Sequence, residues 1–252
     1  MNIFRLRMVW ERLARDDPYW AVLTAPDKVG NQWKLDAFFQ TGIEDVEASL
    51  AVIDQHCPDL AKDRALDFGC GVGRLSQALA KTYQSVVGVD VAAKMLELAA
   101  RHNRAPEQVS FVHNTRADLS KFPAGSFDLV FSLITLQHIP ADLIRSYLPE
   151  FVRVLRPGGV IYFQLPTSVP PEPIEARKWS WYPPTMATRL KRWGGRWFRR
   201  FTGVGDPMRM NALPVAEVES LLQSAGAHMV AIIDQPVTDD CPSNVYIARR
   251  PT

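Results

Sequence analysis

Cysteine is scarce in this chain. Cys57, Cys70 and Cys241 are three among 252 residues. The count is odd and the spacing matches no metal-ligand pattern, so neither a disulfide framework nor a metal site is expected. Such usage suits a reducing compartment, the cytoplasm. Long apolar runs are also missing. None approaches the ~18 residues that a membrane span needs. Arg5, Arg7, Glu11 and Arg12 interrupt the apolar residues near the N-terminus, which is not the pattern of a secretory signal. No internal repeat is visible. Net charge is low, at +2. That balance conceals one basic segment. Residues 172–209 hold nine Lys/Arg against three acids, a net +6, and leave −4 on the rest of the chain. No nucleic-acid-binding module accompanies that segment.

What is present fits a globular protein with a full core. Hydrophobic residues make up 47% and charged residues 22%. The stretch Arg64 to Arg74, Arg-Ala-Leu-Asp-Phe-Gly-Cys-Gly-Val-Gly-Arg, organises the chain. Ala65, Leu66 and Phe68 read as a short buried strand. Gly69, Gly71 and Gly73 open a loop, and Leu75 to Tyr83 continue at helical spacing. This is the first βα unit of a doubly wound sheet.

The loop departs from the dinucleotide fingerprint G-x-G-x-x-G. Counted from Gly69, the third glycine should fall at 74, where Arg74 stands. Asp67 precedes the loop, and a carboxylate there would repel a pyrophosphate and favour a cation. The next strand, Ser85 to Asp90, ends in an acid about 20 residues past the loop, where ribose hydroxyls can be bound. The implied ligand carries a ribose and a cationic end.

At these residues the chain resembles the class I S-adenosylmethionine-dependent methyltransferases. The likeness rests on Leu66 to Gly73, Val87-Gly88-Val89-Asp90, Ser126 to Val130, and Leu155-Arg156-Pro157-Gly158-Gly159, in the family's order. It implies an α/β Rossmann-like fold with a doubly wound seven-stranded sheet of order 3-2-1-4-5-7-6. It implies an S-adenosyl-L-methionine cofactor, and transfer of a methyl group to an O, N or C nucleophile of a small metabolite, aromatic or anionic. Asp67, Gly69, Cys70, Gly71, Gly73 and Asp90 become cofactor-binding candidates. Cys70 reads as a small filler of the loop. Val91 and Met95 would flank the adenine, with core packing the alternative for Met95. Past the third strand (Val109 to Val112), the adenine contact is sought along His113 to Asp118. Thr115 or Asp118 could make it, with Arg116 between them. The fourth strand, Phe127 to Leu133, ends at the topological switch point, which adds Ser132 and Leu133. His138 is the candidate general base, or else a residue that only shapes the pocket.

The remaining chain divides into two elaborations. Residues 1–60 read as an N-terminal helical cap, with helices over Phe4 to Ala14 and Ile43 to His56. Tyr19, Trp20, Trp33, Phe38 and Phe39 supply an aromatic group that either covers a sheet edge or closes over the site. Residues 61–252 form the cofactor-binding domain, in which 166–211 is a basic, Trp-rich lid insert. Within the insert Met186, Leu190, Trp193, Trp197 and Phe201 trace an amphipathic basic helix. It suits a lid, an anionic substrate or partner, or a membrane surface. A lipid or quinone methyltransferase at a membrane surface, an NAD-dependent enzyme and a non-catalytic nucleotide-binding module are the rival readings.

Overall fold

The computed structural model describes residues 2–169, 210–237 and 241–252. Among these residues, seven strands form one sheet: β1 (Arg64–Phe68), β2 (Ser85–Asp90), β3 (Val109–His113), β4 (Phe127–Ser132), β5 (Leu155–Pro166), β6 (His228–Asp234) and β7 (Ser243–Arg249). Their order is β3-β2-β1-β4-β5-β7-β6, as expected. The first five run parallel, and β7 pairs antiparallel with both β5 and β6.

Alternation along β1 assigns its side chains to two layers. Leu66 and Phe68 join the core shared with α6 (Ala141–Val154) and α7 (Val215–Ser224). Ala65 joins the core shared with α3 (Leu35–His56) and α4 (Arg74–Leu79). Asp67, in the same alternation as Ala65, therefore faces α4. β4 is buried at every position, as a central parallel strand should be. α5 (Ala93–Arg101) crosses between β2 and β3.

Ahead of the sheet come α1 (Ile3–Asp16), α2 (Pro18–Val22) and a short 3₁₀ turn at Pro26–Lys28. α3 begins at Leu35, eight residues earlier than the sequence suggested, because Phe38, Phe39 and Gly42 extend its buried stripe to Val46 and Ile53. The expected aromatic group forms around Phe38, whose ring lies edge-on to Tyr19 at 5.2 Å and Trp33 at 5.6 Å. α4 is shorter than expected and ends at Leu79. β5 starts at Leu155, which pairs with Phe127 ahead of a bulge. Gly226 closes α7, with φ +94° and its N–H on Gln223 O at 3.0 Å.

Most of the 166–211 insert, including the proposed basic helix, lies outside the described residues. Its two ends meet, with Leu213 N–H donating to Pro166 O at 3.2 Å. Just before that, Asn211 N–H donates to Gln137 O at 2.6 Å, on the 3₁₀ turn Leu136–His138 that follows β4.

Candidate active site

A cleft opens where the sheet order reverses between β1 and β4. Its floor is the glycine loop. Gly69, Gly71 and Gly73 all have positive φ, at +76°, +52° and +80°. At Gly69 the close approach is severe: a Cβ there would lie 2.0 Å from Thr135 Cγ2. The loop is therefore pressed against the segment that follows β4.

Four of the loop's N–H groups bond within the protein. Gly69 and Cys70 donate to Val89 O at 2.8 and 3.1 Å, and Gly73 donates to Cys70 O at 2.9 Å. Gly71 donates to Asp90 Oδ2 at 2.9 Å, and Asp90 Oδ1 accepts Ala92 N–H at 2.8 Å. Asp90 thus sits in the bend where a phosphate would otherwise bind. Each of its oxygens keeps further acceptor capacity. Burial raises its pKa, and the backbone N–H groups oppose that shift.

Of the residues expected at the site, Gly69, Cys70, Gly71, Asp90, Val91, Met95 and Leu133 line the cleft. Burial and the nearby Asp90 and Asp67 push the Cys70 thiol well up, which keeps it protonated and suits the filler reading. Asp67 lies behind the floor. It is 1% exposed, and one oxygen accepts the Ser76 hydroxyl at 2.6 Å while Oδ1 is buried with no hydrogen-bond partner. Burial raises its pKa to about 7. Gly73, at the end of the floor, caps the start of α4. Ser132 is fully buried and donates to Phe68 O at 2.9 Å, which ties β4 to the end of β1.

The expected adenine contacts stand off the cleft lining. Thr115 and Arg116 are exposed and do not line the cleft. Asp118 faces Ser120, accepting its N–H at 3.0 Å and its hydroxyl at 2.6 Å. The residue that faces the cleft is Asn114, 4% exposed. Its N–H is held by Asp90 O at 2.9 Å. Its amide donates to Asp118 O at 2.8 Å, folding the following loop away. His138 also stands back from the lining. Its ring is half-buried, 5.6 Å from and edge-on to Trp10, which does line the cleft.

Several lining residues carried no signal that sequence reasoning used. Leu6 and Trp10 come from α1, and Ile134, Ile139 and Tyr147 complete an apolar wall. Ile134 has φ +59°, which is rare for a β-branched residue. Arg74, noted in the sequence only as a missing glycine, is a buried cation at 2% exposure. It reaches α3, with Nη1 3.1 Å from Thr41 Oγ1 and 2.5 Å from Asp45 Oδ2.

Residues 66–163 match the family described as "Methyltransferase domain". The ubiquinone biosynthesis O-methyltransferase of Aromatoleum aromaticum is 33% identical over 41% of this chain and 44% of its own. The demethylmenaquinone methyltransferase of Clavibacter sepedonicus is 36% identical over 52% of each. The chain thus spans about half the length of the curated relatives it matches. Among solved structures, the magnesium protoporphyrin IX methyltransferase of Synechocystis PCC 6803, with bound SAH, aligns over 99% of this chain and 100% of its own. Its TM-score is 0.64 at 19% identity. A [4+2]-cyclase, SpnF, aligns over 86% and 82% with a TM-score of 0.57 at 16% identity. The methyltransferase fold therefore hosts more than one chemistry, and the site must carry the functional argument.

Proposed function

We propose that this chain transfers a methyl group from S-adenosylmethionine to an O, N or C nucleophile of a small acceptor. The reading rests chiefly on Asp90. Its carboxylate takes the Gly71 N–H that a dinucleotide phosphate would use, and presents two acceptor oxygens suited to a ribose diol. Behind it, Asp67 with its unpartnered Oδ1 adds a second carboxylate close to the floor. A cation in the cleft would be drawn to both, and would lower the Asp67 pKa from about 7.

When bound, the cofactor supplies an electrophilic methyl on a sulfonium. The chain's part is to bind, align and keep water away. Gly69, Cys70 and Gly71 admit the ligand closely, Val91 and Met95 supply apolar contact, and Asn114 replaces Thr115 and Asp118 as the polar group at the adenine end. Trp10, Leu6, Ile139 and Tyr147 give the acceptor an apolar, partly aromatic wall, so an aromatic ring is the favoured acceptor. The names of the two quinone-pathway relatives support the same class. For a hydroxyl or ammonium acceptor, His138, beside the lining residue Trp10, is the group assigned to take the proton. We assign residues 1–60 as the cap, 61–252 as the catalytic domain and 166–211 as a lid. The three cysteines are free, which supports a cytoplasmic setting.

Calorimetry tests the reading directly. S-adenosylhomocysteine should bind and NADH should not; the reverse result sinks it. Among the described residues no helix is long and apolar enough to cross a membrane. Sedimentation with anionic liposomes at low and high salt tests whether the acceptor is met at a lipid surface.

A further inference from the structure

We infer that Glu11 is a positioning residue of this site: it latches the roof helix α1 onto the start of α5 and thereby fixes the roof to the Asp90 bend. The inference rests on the cofactor reading above. The N-cap residue of α5, Ala92, has no side-chain acceptor to offer, and no acid stands in the first turn. A helix start leaves N–H groups without intrahelical partners. Here two carboxylates from outside the helix take them. Asp90 Oδ1 accepts Ala92 N–H at 2.8 Å. Glu11 Oε1 accepts Ala93 N–H at 2.8 Å, and Oε2 accepts Lys94 N–H at 3.3 Å.

Glu11 stands 82 residues before Ala93, on α1, and is 8% exposed. A buried acid on an amphipathic helix would ordinarily be out of place; the α5 terminus accounts for it, through its free donors and positive dipole end. Arg7 flanks Glu11, with Nε 3.8 Å from Oε1. Leu6 and Trp10, on the same helix, line the cleft, whereas Glu11 does not. A continuous set of contacts therefore runs from the Gly71 N–H through Asp90, the α5 start and Glu11 to Trp10. Glu11 acts on the cleft only through the position of α1 and α5.

Two variants and two readouts test the latch. Glu11→Ala removes both acceptors; Glu11→Gln keeps one oxygen for Ala93 and is the milder change if Glu11→Ala fails to fold. Amide hydrogen exchange without ligand should show faster exchange in α1 and at Ala93 and Lys94. Stopped-flow measurement should show S-adenosylhomocysteine leaving about tenfold faster from Glu11→Ala, with Glu11→Gln between it and the wild type. Unchanged exchange in both variants overturns the latch. Faster exchange with an unchanged release rate leaves Glu11 a structural cap and overturns its positioning role. If the wild-type protein takes up no S-adenosylhomocysteine, the cofactor reading falls and the positioning role with it, while exchange still decides whether the latch exists.

Discussion

The floor of the cleft is made of main chain, and its roof of side chains from a distant helix. In the floor, Gly69, Cys70, Gly71 and Gly73 bond to neighbours fixed by sheet register, such as Val89 and Asp90. In the roof, Leu6 and Trp10 are placed by α1, which reaches the sheet layers through Glu11 and its own apolar face. A floor built this way tolerates little substitution, because each N–H and each φ is specified. A roof built from side chains can vary and so can carry acceptor choice. The difference explains why a binding loop can be read locally while the acceptor wall cannot.

The comparison can be broken most severely at Gly69. Gly69→Ala places a Cβ 2.0 Å from Thr135 Cγ2 at φ +76°. Left-handed strain and overpacking together should cost roughly 3 kcal/mol. A thermal melt should show the loss, and an unchanged midpoint would mean the floor is not tightly specified. His138→Ala probes the roof side. It should lower turnover about a hundredfold while S-adenosylhomocysteine affinity stays at the wild-type value, the usual scale for a lost general base. Full activity removes His138 as the base. Asp90→Ala should weaken S-adenosylhomocysteine binding by about 1–3 kcal/mol, through loss of charge-assisted hydrogen bonds. Calorimetry showing equal affinity would refute the ribose assignment.

A graded effect, spread over several pH units, concerns Asp67. Asp67 has a folded pKa raised to about 7 from an ordinary value of 3.8. The unfolded chain therefore loses this proton first as pH rises. The free protein should lose stability between about pH 4 and 7, by at most ~1.4 kcal/mol per pH unit, and then level off. Asp67→Asn should flatten that slope. Urea midpoints at pH 5 and pH 7.5 check it, and an identical slope in both proteins would rule out Asp67 as the source.

The sheet was legible because its signals are local. Leu66 to Gly73, Val87 to Asp90 and Leu155 to Gly159 are short local patterns, and the resemblance they support supplied the strand order. Asp90 was legible for the same reason: it ends a strand at a fixed distance past the loop. Thr115 and Asp118 fall outside the lining because facing is decided by one residue of register. Asn114 N–H bonds to Asp90 O, and that turns the next two side chains outward. The contacts of Arg74 and Glu11 were illegible because their partners lie 29 and 82 residues away on other helices. Trp10 was passed over since nothing in α1 alone says which face meets the sheet.

Ile134 gives the cleft wall a further property. A β-branched residue held at φ +59° carries a conformational penalty of about 1–3 kcal/mol, retained only while its neighbours enforce it. Directed evolution for heat resistance alone would find relief at this position early, through glycine or asparagine. Such relief would relax the backbone beside the cleft while raising the melting point.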